Sequence, residues 1–323
     1  MRKVKIAIAE GALADPSWAT AIAKKFDFEV VFGPVNTLDE LQRTAKDCSA
    51  VAVALHKMTE EKISNMPESV KCISRLGVGL DSIDLDAAVK NKLPIIFQPT
   101  YAYNEVANHA AAMVLALHRG IYQATVTTQN GKWIAATQIA EITSLQDSAL
   151  GVIGCGKIGQ TFIKKMQPFF KDVIGFDPAV TENIPGITMT RNLDDLLINC
   201  KVISMHAPYM PSTHHMIGKR EIALMQRGSI LVNVSRGGLI DEDALMEALE
   251  NGHLDGAGLD VFEKEPLDEN APIRKTKNLL LSPHIAWYSK SSGPRLVEWG
   301  LMDAVNFITN QSIAHGKFAA GPF

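Results

Sequence analysis

The sequence predicts an α/β protein built from two doubly wound parallel-sheet domains, and three observations carry that prediction. Apolar runs of strand length alternate with longer segments of helical spacing along the chain. The alternation occurs twice, once before residue 100 and again from residue 149, with a long helical segment between the two series. The 323 residues also exceed what a single compact core usually holds.

In the first series the expected strands are 4–9, 29–32, 50–55, 72–76 and 94–97, with helical spacing at 18–25 and 38–46. About five βα units make a small doubly wound domain. Next, Val106, Ala110, Met113, Val114 and Leu117 recur at three- and four-residue steps. They mark one apolar face of a helix over 104–119, with Asn104 as its N-cap and a bridging role between domains. Residues 120–149 read as irregular and polar, with Asn130-Gly131 as a turn signal. The second series places strands at 150–154, 173–177, 202–206, 230–234, 256–261 and 279–283. Asp241 opens a helix with Glu242 and Asp243 in its first turn, and Asn251-Gly252 closes it. The stretch 289–310 reads as a last helix, and no short period repeats.

Composition narrows the function classes. Hydrophobic residues at 46% and charged residues at 21% exclude a disordered or low-complexity chain. A net charge of -3 gives no broad basic footprint for nucleic acid and no polybasic membrane patch. Apolar stretches such as 110–117 fall well short of a bilayer span. The opening MRKVKIAIAE, with Glu10 in place of a continued apolar run, reads as a first strand and not a signal peptide. Cys48, Cys72, Cys155 and Cys200 show no CxxC spacing, and no set of residues has metal-ligand spacing. A reducing cytoplasm, no disulfide framework and no metal are therefore expected.

Chemistry first appears at Gly154-Cys155-Gly156-Lys157-Ile158-Gly159, a GxGxxG that follows one expected strand and opens an amphipathic segment, 157–170. The first glycine suits a tight turn, the second admits a pyrophosphate close to the backbone, and the third lets helix pack on strand. The helix start then offers unpaired amides to the anion. Asp177 stands 18 residues past Gly159 at the end of the next strand, where an acid holds ribose hydroxyls. Its carboxylate would repel a 2′-phosphate, and Pro178-Ala179 supply no cation, so NAD is favoured over NADP.

Three more residues lie just past late strands, where open α/β sheets bind ligands. Arg236 precedes Gly237-Gly238, glycines expected to let backbone approach a ligand; Glu265 follows GAGLDVFEK and His284 follows LLLSP. Arginine grips a carboxylate bidentately, and a histidine beside a carboxylate is suited to giving and retaking a proton.

These segments together resemble the D-isomer-specific 2-hydroxyacid dehydrogenase family. The resemblance runs from about Ser74 to Asn310 through RLGVGLDSID, EVANHA, GVIGCGKIGQ, LVNVSRGGLIDEDAL, GAGLDVFEKEP and SPHIAWYS. It implies a catalytic trio of Arg236, Glu265 and His284, with the histidine as general acid/base, and substrate carboxylate binding by the Val78 and Gly79 amides. Cofactor contacts would fall on Gly154, Gly156, Lys157, Ile158, Gly159, Asp177, His206, Ala207, Pro208, Thr213, Val234, Ser235, Arg236, Asp260 and His284. Asp260 is the position that usually faces the nicotinamide carboxamide. The implied fold inserts a Rossmann NAD-binding domain, 102–288, into a flavodoxin-like substrate domain, 1–101 and 289–323. The implied assembly is a homodimer through the cofactor domain, with 120–149 as the dimer arm.

Trp287, Tyr101 and His214-His215 resemble the C-terminal-binding-protein-like branch, and Trp287 would wall the substrate pocket or simply pack. That branch carries a second implication: an NAD(H)-sensing dimeric binding protein with little turnover. Asn108 replaces an acid common in the family and Asp147-Ser148 a usual Gly-Lys, neither within the implied catalytic set. Glu265 departs from the glutamine of the family's formate dehydrogenases. His109, His118, His214 and His215 receive no role, and the helical His109 and His118 are read as bystanders.

Overall fold

The computed structural model describes residues 3–135 and 142–322. The chain divides into two compact units, Met1–Ala102 with Tyr288–Phe323 (unit 1) and Tyr103–Trp287 (unit 2).

Unit 1 contains the strands β1 (Lys5–Ala9), β2 (Glu29–Gly33), β3 (Ala50–Val53), β4 (Cys72–Arg75) and β5 (Ile95–Phe97). Its helices start where the sequence caps them. Asp15 accepts from the Ser17 amide ahead of Pro16–Phe26, and Thr37 with Glu40 forms a capping box ahead of Leu38–Thr44. The run AVAV of β3 is buried at all four positions, as a central parallel strand requires when both sheet faces are covered.

Unit 2 holds β6 (Ala149–Ile153), β7 (Asp172–Phe176), β8 (Thr188–Thr190), β9 (Val202–Met205), β10 (Ser229–Asn233), β11 (Leu254–Leu259) and β12 (Leu279–Leu281). The last strand of the chain, β13 (Lys317–Ala320), returns to unit 1. The unit 1 sheet runs β13-β5-β4-β3-β1-β2 and the unit 2 sheet β12-β11-β10-β9-β6-β7-β8. Every pairing is parallel except β13 with β5. In unit 2 the helix Tyr103–His118 lays Ala107, Ala110, Met113 and Val114 against Leu150, Val152, Val202 and Val232. The order turns about β6: successive strands add on one side through β7 and β8, then on the other from β9 to β12. Ligands of open α/β sheets bind at the carboxyl edge of such a switch.

Four expectations need correction. The long helix begins at Tyr103, so Asn104 lies in its first turn and is not its cap. Residues 120–149 are not wholly irregular, because Ile121–Gln129 is a helix. It buries none of its residues, so its sequence, IYQATVTTQ, carries no core-facing stripe to betray it. Residues 136–141 of the expected dimer arm lie outside the described residues. The last helix is Ser292–Asn310, the three preceding residues being held in a turn by Ser289 and Ser292 side chains. The short edge strands β8 and β13 went unanticipated, and β13 breaks the all-parallel expectation for its sheet.

Candidate active site

The glycine turn joins β6 to the helix Lys157–Met166, and its three glycines are glycine for different reasons. At Gly154, φ is +90°, and a Cβ would lie 2.5 Å from the Ala207 nitrogen and the His206 carbonyl carbon. At Gly159 a Cβ would lie 2.0 Å from the Gly154 oxygen. Both are therefore required by packing within the chain. At Gly156 a Cβ would meet nothing within 4 Å. The space above the helix start is open there, with no side chain capping the first amides. That is the feature an incoming pyrophosphate needs.

Asp177 follows β7 and turns its carboxylate back to this loop, accepting the Cys155 amide at 2.8 Å and the Ala179 amide at 2.9 Å. An ionised carboxylate has about four lone-pair sites, so two amides leave capacity for ribose hydroxyls. Lys157 points its ammonium over the Tyr103 ring, 5.0 Å from the centroid, and Ile158 is half-buried. Cys155 is inert, its thiol pushed up to about 12 by burial first and by the Asp177 charge second.

Past β9, the His206 ring packs on Phe162 with centroids 4.9 Å apart, and its Nε2 meets Ser204 Oγ at 3.0 Å. Burial pushes its pKa down to about 3, so the ring is neutral, and its buried Nδ1 finds no partner. The ring thus serves the core, while its carbonyl and the Ala207 amide abut Gly154. Pro208 is exposed, and Thr213 ties the loop shut by donating to the Pro208 carbonyl at 2.9 Å.

Arg236, Glu265 and His284 leave the carboxyl ends of β10, β11 and β12, three neighbours in the sheet. A buried residue with no assigned role, Asn233, shapes the first of these loops. Its amide group donates to the Arg236 carbonyl at 2.8 Å and accepts from the Ser235 amide at 3.0 Å. Ser235 also donates to the Met205 carbonyl at 2.8 Å, and Val234 is buried beneath. Gly237-Gly238, expected to admit a ligand, answer instead to packing within the chain. A Cβ at Gly237 would sit 1.8 Å from the Phe262 carbonyl carbon, and one at Gly238 would sit 2.7 Å from the Tyr209 ring. Gly237 brings the Arg236 and Glu265 loops together, and Gly238 makes room for Tyr209.

His284 Nδ1 lies 2.6 Å from Glu265 Oε2, and the two side chains are 27% and 23% exposed. Glu265 Oε1 accepts the Phe262 amide at 2.9 Å. Burial works to raise the Glu265 carboxyl, but the His284 hydrogen bond and charge, the Phe262 amide and the Arg236 guanidinium outweigh it. Glu265 is accordingly held below the usual carboxylate range. His284 adopts φ +54°, an unusual conformation for a side-chain-bearing residue and one found at functional sites. The Trp287 indole donates to the His284 carbonyl at 2.9 Å, so this residue is tied to the loop itself and lies ahead of the last helix.

Asp260 sits fully buried under this loop. Its Oδ1 accepts Ser282 Oγ at 2.6 Å and the Ile285 amide at 2.9 Å, and its Oδ2 accepts the Ala286 amide at 2.9 Å. In unit 1 the loop after β4 carries Val78, exposed, and Gly79. Arg75, a residue the sequence did not single out, braces that loop by donating to the Gly79 carbonyl at 2.8 Å and to the Leu76 carbonyl. The His214 and His215 rings stack, 3.8 Å between centroids, and His215 pairs with Glu263. Among the described residues no group of three or more His, Cys, Asp or Glu is placed to hold a metal ion, and no helix is long and apolar enough to cross a membrane.

Residues 111–286 match the family model described as D-isomer specific 2-hydroxyacid dehydrogenase, NAD binding domain. The chain belongs to the D-isomer-specific 2-hydroxyacid dehydrogenase family. The cofactor of this family member is NAD, and the open glycine turn with Asp177 fits it. The chain is 36% identical over 251 residues to a D-3-phosphoglycerate dehydrogenase of Methanocaldococcus jannaschii, covering 77% of this chain and 47% of that protein. It is 33% identical to the Archaeoglobus fulgidus protein of the same name, covering 85% of this chain and 52% of the other. The family member thus spans about half the length of the curated relatives it matches. A solved structure of D-lactate dehydrogenase from Aquifex aeolicus, complexed with NAD and lactic acid, superposes with a TM-score of 0.84 at 28% identity. That match covers 99% of this chain and 100% of the other.

Proposed function

We propose that the protein interconverts a D-2-hydroxy acid and its 2-oxo acid with NAD(H), using His284 as general acid/base. One observation carries the reading: Glu265 bonds His284 and feels the Arg236 charge, on loops leaving three adjacent strands of the sheet that also carries the glycine turn. With Nδ1–H committed to Glu265, His284 has Nε2 left for substrate. In the reducing direction Nε2–H gives its proton to the forming alkoxide, and in the oxidising direction Nε2 takes the hydroxyl proton. The Glu265 carboxylate holds the ring in that tautomer and stabilises the imidazolium. Arg236 orients the substrate carboxylate through two parallel N–H donors, and the Val78 and Gly79 amides keep the substrate-binding assignment of the family resemblance. Trp287, anchored to the His284 carbonyl, would wall the pocket against the substrate side chain. When bound, the nicotinamide supplies or accepts the hydride.

Within the cofactor site, the Gly156, Lys157 and Ile158 backbone would hold the pyrophosphate and Asp177 the ribose, which favours NADH over NADPH. Gly154, Gly159, Ala207, Pro208, Thr213, Val234 and Ser235 shape the site around them. Asp260 acts from beneath, since its carboxylate is buried and taken up by the chain's own donors.

The experiment is a screen of 2-oxo acids with NADH and NADPH in parallel. Turnover with NADH, lowered about 10²–10⁴-fold in His284→Ala while cofactor binding persists, is the expected outcome. Cofactor binding without turnover of any 2-oxo acid would favour an NAD(H)-sensing binding protein instead. A homodimer belongs to the same reading. The helix Ile121–Gln129 exposes Ile121, Tyr122 and Val126, an apolar face a second copy would cover. Sedimentation should give twice the chain mass, falling toward monomer in Val126→Asp; a wild-type monomer would refute the assembly.

A further inference from the structure

Three features lie outside the assigned set. The cavity bordered by His118 and Asn278 has room for about one water, and the exposed face of Ile121–Gln129 belongs to the dimer already proposed. The third is a chain of polar contacts that begins on the helix Tyr103–His118 and ends at the His284 loop.

His109 Nε2 lies 2.9 Å from Ser282 Oγ, and Ser282 Oγ lies 2.6 Å from Asp260 Oδ1. His109 Nε2 is itself 3.6 Å from the same carboxylate oxygen. A carboxylate only accepts, so the Ser282 hydroxyl gives its proton to Asp260 and must receive one from His109 Nε2–H. Asp260 in turn gathers the backbone of three consecutive residues. Its carbonyl accepts the His284 amide at 2.7 Å, and its carboxylate accepts the Ile285 and Ala286 amides. Those bonds hold His284 at φ +54°, a conformation that a residue with a Cβ does not keep unaided. The rotamer of the Asp260 carboxylate thus sets where the Ile285 and Ala286 amides lie, the two residues that follow His284 in its loop, and Ser282 with His109 sets that rotamer from the far side. The His109 side chain is 25% exposed and that of Asp260 1%, so the chain runs from the edge of the unit into its interior.

We infer that His109 is a positioning residue: through Ser282 it fixes the Asp260 carboxylate and with it the loop that presents His284. The inference rests on the dehydrogenase reading for its effect on turnover, but its structural part stands on the hydrogen bonds alone. It concerns a residue of the helix interior, 175 positions from His284 in sequence, that touches neither substrate nor cofactor in the mechanism above.

The test pairs amide hydrogen exchange with kinetics on full-length His109→Leu, His109→Gln and Ser282→Ala. Leucine removes the donor, glutamine restores an N–H of similar reach, and alanine deletes the hydroxyl in between. Exchange of the Ile285 and Ala286 amides, the two that the carboxylate accepts, should accelerate at least tenfold in His109→Leu and Ser282→Ala, with amides of β6 and β9 unchanged. It should return toward the wild-type rate in His109→Gln. Turnover should follow the same order, with kcat down about tenfold and the KM for NADH within twofold. Wild-type exchange at Ile285 and Ala286 in a folded leucine or alanine variant overturns the inference. So does a glutamine variant as impaired as leucine, which would mean that the ring's packing is what matters. If wild-type protein turns over no 2-oxo acid, the dehydrogenase reading falls, and the exchange measurement still decides the role of His109.

Discussion

Among the described residues each unit buries one aspartate completely, and the two do the same structural task for different ends. In unit 1, Asp303 takes the Ala314, His315 and Gly316 amides at 2.7, 3.2 and 2.6 Å, with Gln98 Nε2 at 3.0 Å. In unit 2, Asp260 takes the Ile285 and Ala286 amides and the Ser282 hydroxyl. Both sites set a carboxylate in the interior and surround it with successive amides of an irregular loop, which offsets the desolvation of the acid. What differs is the cargo. The Asp303 loop leads only into the edge strand β13, whereas the Asp260 loop carries His284. The comparison teaches that burial and full hydrogen bonding identify a loop organiser without saying whether the loop matters to chemistry. That second fact comes from the residue the loop displays.

Matched substitutions at the two aspartates should break the symmetry most visibly. In Asp303→Asn and Asp260→Asn alike, the new NH2 must face a donor, because both oxygens of each carboxylate already accept. Each variant should lose about 2–4 kcal/mol of stability, measured by urea denaturation. Only Asp260→Asn should also lose turnover, by about 100-fold per folded molecule, while Asp303→Asn keeps its kcat. Equal kcat in the two variants would show that the His284 loop does not need its organiser.

A smaller effect is expected one loop away. Arg236→Lys keeps the charge and removes the fork, so kcat/KM should fall more than tenfold, or about 1.5–3 kcal/mol, through loss of a bidentate contact. Stability should stay within about 0.5 kcal/mol, because the side chain is not in the core. An unchanged kcat/KM would remove Arg236 from the mechanism and leave the site closer in kind to the Asp303 turn.

Sequence reading reached the parts of this site that local chemistry dictates. The GxGxxG turn, Asp177 after its strand, and the Asp241 cap could all be read because their partners lie within one βα unit. It failed where the reason for a residue is distant. Gly237 looked like a ligand approach, but what forbids a side chain there is the Phe262 backbone, 25 residues on. His109 looked like a bystander because Ser282 and Asp260 are more than 150 residues away. Arg75 bonds backbone carbonyls in the loop it braces, contacts that leave no pattern in composition or spacing. The helix Ile121–Gln129 escaped for the opposite reason: it buries nothing, so no periodic stripe marks it.

The smallest effect is the response of the Glu265 pair to pH. Glu265 is partly exposed and hydrogen-bonded to His284, so its hold on that ring is electrostatic as well as geometric. Its carboxyl lies below its ordinary value of 4.5 in the folded protein, against burial, chiefly through the His284 hydrogen bond. A carboxyl depressed on folding stabilises the folded state above its unfolded value, and that stabilisation is lost as pH falls through the folded one. The stability difference between wild type and Glu265→Gln should therefore be steady from pH 6 down to about 5 and shrink on further acidification. Because the pair is partly solvated, the whole difference should be about 1 kcal/mol or less. Denaturation curves at half-unit steps of pH measure it. A difference that grows toward acid would mean that His284 does not lower the Glu265 carboxyl. The tie between them would then be one of shape alone.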